Sequence, residues 1–124
     1  MIVLHLMPAA VWRAWNAGAR YEPASLATEG FVHCTAGDEL MLDVANRFYR
    51  GTDDELVAVA IETSRLTSEV RWEAPSHPDG SDAPADAPLF PHVYGPLDRD
   101  AAVGTRRIVR DAGGGRFAGY APID

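Results

Sequence analysis

The order of its apolar patterns most constrains how this chain can fold: both helical stretches fall before residue 50, and strand-like runs crowd the second half. Ile2 to Met7 reads as a buried strand. Pro8 then opens a helix from Ala9 to Ala17, with Val11, Trp12 and Trp15 at core-facing spacing and Gly18 as its stop. A turn-rich link through Tyr21, Pro23 and Ser25 leads to a short strand at Phe31 to Cys34. Thr35-Ala36-Gly37-Asp38 fits a capping box for a helix from Glu39 to Tyr49, with Leu40, Val44 and Phe48 on one face and Gly51 closing it. Leu56 to Ile61 is a continuous apolar run of strand length, and Glu69 to Glu73 alternates as a half-buried strand does. Val103 to Val109 reads as a further strand, and Gly113-Gly114-Gly115 turns into a last short one at Arg116 to Phe117. Early helices and late strands favour an α+β fold over alternating βαβ units.

A chain of 124 residues with 47% hydrophobic residues is expected to form a single domain, 1–124, able to bury a core without disulfide or metal. Within it, 74–89 holds Pro75, Pro78, Pro84 and Pro88 among Asp79, Asp82 and Asp86, with no apolar periodicity, and reads as a flexible loop running into the segment at His92. The formal charge of -7 argues against general nucleic-acid binding, which needs a basic footprint. No apolar run approaches the roughly 20 residues of a membrane span, and the start lacks the basic residues of a secretion signal, so the expected location is the cytoplasm and no membrane partner is expected. Lysine is absent, which excludes Schiff-base chemistry on the chain and a Walker-type phosphate lysine. Any anion must be held by arginine or backbone amides. Cys34 is the only cysteine, so neither an internal disulfide nor a Cys-x-x-Cys motif exists.

Functional chemistry is concentrated in Gly30-Phe31-Val32-His33-Cys34-Thr35 and Phe90-Pro91-His92-Val93-Tyr94-Gly95-Pro96-Leu97. An imidazole among Phe, Val and Cys sits near the wall of the core, where burial and neighbours move its titration across neutral pH. Their matching contexts predict that His33 and His92 share one concave surface. If His33 faces the ligand, alternation along the strand turns Cys34 to the core. His5 and His77 read as incidental, Glu73 as a carboxylate at the end of a strand, and Thr35 as a helix cap.

Trp12, Gly18, Tyr21, Gly30 to Thr35, Ala45-Asn46, Trp72-Glu73 and Phe90 to Leu97 together resemble a family of small bacterial proteins catalogued as domain of unknown function 952. The resemblance implies an ADP-ribosyltransferase-like fold, with small packed β-sheets, two main helices outside and a central cleft for a nicotinamide dinucleotide, NAD, as substrate. In that setting His33 would hold a ribose hydroxyl, His92 or Tyr94 the ribose or the ring, and Glu73 would be the catalytic carboxylate. Arg20 or Arg47 would hold the pyrophosphate, with Thr35 and Ser25 completing the ligand contacts. The superfamily's His-Gly-Thr element is missing. Two alternatives stand beside ADP-ribosyl transfer: a non-catalytic small-molecule binding or regulatory module, and a metal-dependent enzyme using His33, His92 and Glu73.

Overall fold

The computed structural model describes residues 1–75 and 87–123. Its centre is β4 (Leu56–Glu62), the continuous apolar run, which lies between β1 (Ile2–Pro8) and β8 (Ala102–Arg110) in a four-stranded antiparallel sheet completed by β9 (Phe117–Pro122). A strand apolar on both sides needs a cover on each face. On one face α3 (Asp38–Phe48) lays Met41 and Ala45 against Leu4, Leu56, Ala58, Ile108 and Phe117. On the other, Val3, Met7, Val57, Val59 and Ile61 pack with Trp15, Val32, Val93, Leu97 and Ala101.

Val32 and Val93 belong to a second antiparallel sheet, in the order β3 (Val32–His33), β6 (Phe90–Tyr94) and β5 (Glu69–Glu73). Pro91 and Val93 turn to the core, so alternation sends His92 and Tyr94 to the opposite face. A short pair, β2 (Arg20–Tyr21) with β7 (Leu97–Asp98), and two six-residue helices, α1 (Ala9–Ala14) and α2 (Ala24–Glu29), complete the arrangement. No helix among the described residues is long and apolar enough to cross a membrane.

The α+β class is as expected, and several local expectations are corrected. The first helix stops at Ala14, not Ala17, because Trp15 leaves the helix for an extended conformation, burying its indole and donating from Nε1 to the Ala19 carbonyl. Trp12 stays half-buried beneath the Arg99 guanidinium. The turn-rich link from Tyr21 to Phe31 contains α2, so there are three helices where two main ones were expected. Thr35 is no cap: its backbone exchanges hydrogen bonds of 2.7 Å with Leu4, and the residue before α3 is Gly37, at φ 101° with no side-chain cap. The buried stripe of α3 is Met41 and Ala45, while Phe48 is exposed. The last strand extends to Pro122, well past Phe117. Of the expected loop at 74–89, residues 76–86, His77 included, lie outside the described residues.

Candidate functional site

The pairing of β3 with β6 sets His33 directly opposite His92. The bond from Cys34 N to the Pro91 carbonyl, 3.1 Å, identifies His33 and His92 as a pair whose own backbone groups do not bond to each other. In such pairs the side chains approach most closely, and the two ring centroids are 5.5 Å apart on the same sheet face. Phe31, two residues before His33, stacks on His92 at 4.1 Å and 20° and also contacts His33 and Tyr94. His92 is therefore buried although it faces away from the core.

Register brings the carboxylate. Glu73 in β5 lies opposite Phe90, and its Oε1 accepts from His92 Nδ1 at 2.9 Å and from the Tyr94 hydroxyl at 2.5 Å. These two donors hold the Glu73 carboxyl below its usual range, and Glu73 in turn pushes the Tyr94 phenol up. Burial lowers the His92 pKa; the bond to Glu73 opposes the effect and the neighbouring His33 adds to it. Since an ionised carboxylate only accepts, Nδ1 carries the proton and the neutral ring has its lone pair at Nε2. A carboxylate-oriented imidazole whose second nitrogen carries the lone pair is suited to general base chemistry.

His33 carries a second carboxylate. Its Nε2 is 2.8 Å from Glu29 Oε2, a pair made possible because α2 ends at Gly30, at φ 89°, and the chain turns directly into β3. Arg71, opposite His92 in β5, packs its guanidinium 4.3 Å from the Tyr94 ring centroid and bonds Glu69.

Of the residues singled out from sequence, His33, His92, Glu73 and Tyr94 are brought together. The other four are engaged elsewhere. Arg20 bonds Thr67 at 3.0 Å and pairs with Asp98 at 3.4 Å; Arg47, near the end of α3, lies over Phe48; the Ser25 carbonyl accepts from Gly30 N within the turn closing α2; and Thr35 is buried at β1. Cys34 faces the core as alternation required, its thiol pushed up to about 12 by burial. Two open hollows, of about 430 Å³ beside α1 and β2 and about 450 Å³ at β8 and β9, are lined by neither histidine, so the pair lies on a sheet face and not in either of them. Among the described residues no three His, Cys, Asp or Glu side chains are grouped to hold a metal ion, and Glu73 meets His92 as a hydrogen-bond acceptor.

Phe31, Glu29 and Arg71 are the additions of the structure. The Glu29–His33 contact needed the helical turn of α2 and its stop at Gly30. Arg71 needed the strand register, which no local pattern supplies.

The model of a family described as proteins of unknown function, DUF952, matches residues 6–105. The crystal structure of protein CC0527 from Caulobacter crescentus is 28% identical, with a TM-score of 0.71 over 94% of this chain and 93% of that one. Its solution structure gives 28% and 0.68 over 93% and 90%. No curated protein matches the chain.

Proposed function

The chain belongs to the DUF952 family of proteins of unknown function, and we propose that the sheet face carrying His33 and His92 binds a small nucleotide-type ligand, with His92 as the group that takes or gives a proton. One observation carries this reading: Glu73 Oε1 receives both His92 Nδ1 and the Tyr94 hydroxyl while Phe31 covers the imidazole. A hydrogen-bonded set with a shifted histidine at its centre is a mark of functional sites. Two carboxylates beside Phe31 and Tyr94 suit an electron-poor or cationic ring, of which the nicotinamide of NAD is one. Arg71 replaces Arg20 and Arg47 as the guanidinium nearest this face for a phosphate. For ADP-ribosyl transfer, the Glu73 carboxylate would stabilise the oxocarbenium-like charge that develops as the nicotinamide bond breaks.

The test follows the histidine ring resonances while NAD, ADP-ribose and nicotinamide are added. His33 and His92 should move together, and His33→Ala and His92→Ala should each weaken binding by about 1–3 kcal/mol with little change in melting temperature. Histidines indifferent to all three compounds, or affinity intact in the folded variants, would overturn the reading. Release of nicotinamide from NAD would extend binding to transfer chemistry; binding without release would leave a non-catalytic module.

A further inference from the structure

His5 lies in β1 on the core-facing side of the central sheet, opposite Val59, and is 6% exposed. Because His33 and His92 do not bond to each other through their backbones, the His33 carbonyl points away from β6 to the other edge of β3, toward β1, which bonds the chain two residues on through Leu4 and Thr35. His5 of β1 meets it there. Its Nδ1 is 2.7 Å from the His33 carbonyl oxygen. A carbonyl can only accept, so Nδ1 carries the hydrogen and Nε2 of the neutral ring is a lone-pair acceptor. Burial keeps the ring neutral, lowering its pKa to about 4. Nε2 is itself buried and has no hydrogen-bond partner among the described residues. Buried polar atoms are rarely left so, because desolvation without a bond is costly.

A second aromatic ring flanks His5. The Tyr21 ring is 5.6 Å from the His5 ring. The Tyr21 phenol is raised by burial and by Tyr49, and the Tyr49 phenol by burial and by Glu29, the carboxylate bonded to His33. Tyr21 is thus the polar ring that flanks His5.

We propose that the ligand site extends past the edge of β3, beside β1, to His5, whose Nε2 accepts a hydrogen bond from an uncharged O–H or N–H of the ligand. The proposal rests on the reading of the His33–His92 face as a ligand site. An ammonium donor is disfavoured because it would be desolvated beside Val3, Met7 and Val59. A hydroxyl or an amide N–H gives up far less hydration.

The experiment observes the imidazole nitrogens of the ¹⁵N-labelled protein during addition of adenosine, 2′,3′-dideoxyadenosine and nicotinamide. In the free protein His5 Nε2 should show an unprotonated lone-pair signal, and that signal should move as the probe saturates. If the donor is a sugar hydroxyl, adenosine moves it and the dideoxy compound binds about tenfold more weakly; if it is an amide, nicotinamide moves it. His5→Asn keeps a donor near the His33 carbonyl but removes Nε2, and should lose about tenfold in affinity for the effective probe. A response at His33 and His92 with His5 Nε2 unmoved by every probe overturns this proposal alone. Nε2 protonated in the free protein overturns it as well. No response at any histidine overturns it together with the reading of the His33–His92 face.

Discussion

At the scale of single residues, His5 makes stability depend on pH in a calculable way. Its folded pKa of about 4 lies below the ordinary 6.5, so across the interval between them the unfolded chain binds a proton that the folded one does not. Stability from this residue is full above the ordinary value and is lost as pH falls toward 4. Between pH 8 and pH 5 the loss should be about 2 kcal/mol, with the lowered pKa of His92 adding to it in the same direction. Urea unfolding at both pH values should show this slope, and His5→Asn should flatten it; an equal slope in the variant would mean that His5 is not held neutral. His33 and His92 were visible in the sequence because each interrupts an apolar run. His5 interrupts one too, yet its position gains meaning only when the contact of β1 with the outer edge of β3 is known. Glu29 likewise acquires a partner only because α2 is helical and Gly30 ends it.

Secondary-structure elements are held in place by a few side chains. Asn46 in α3 donates from Nδ2 to the Phe117 carbonyl at 2.9 Å and accepts from Phe117 N at 2.7 Å, tying the helix to the start of β9. Asn46→Ala should cost about 2–4 kcal/mol by leaving both backbone groups without their partner, measurable as a lower urea midpoint. Gly95 follows β6, and a Cβ there would lie 2.3 Å from Ser68 Oγ and 2.8 Å from Ser68 Cβ, beside β5. Gly95→Ala should therefore cost about 1–3 kcal/mol, and adding Ser68→Gly should recover part of it. Failure of the second change to recover stability would place the cost elsewhere. Those elements with a strong period were legible: β1, β4 and β5 lie within a residue or so of their expected positions. Helix α2 was not, since its six residues bury none of their side chains and so leave no apolar stripe to read. The stripe of α3 was misplaced because Ala45, a small residue, is what lets the helix approach the sheet, whereas the larger Phe48 drew the apolar face toward itself.

For the whole molecule, covering the central sheet on both faces predicts a gradient of stability. Amides of β4, paired on both sides and buried between two apolar clusters, should exchange with solvent only on global unfolding, while those of the two-residue β2 and of β5 at a sheet edge should exchange faster. Uniform protection across all three would contradict this. The facing of His33 and His92 also has a consequence in time. Their strands are far apart along the chain, so closing that pair means closing a long loop before any contact rewards it, whereas β8 and β9 are joined by a short turn. During refolding the β8–β9 hairpin should become protected first, and the histidine pair should come into being only near the end, as one of the last parts of the native state to form.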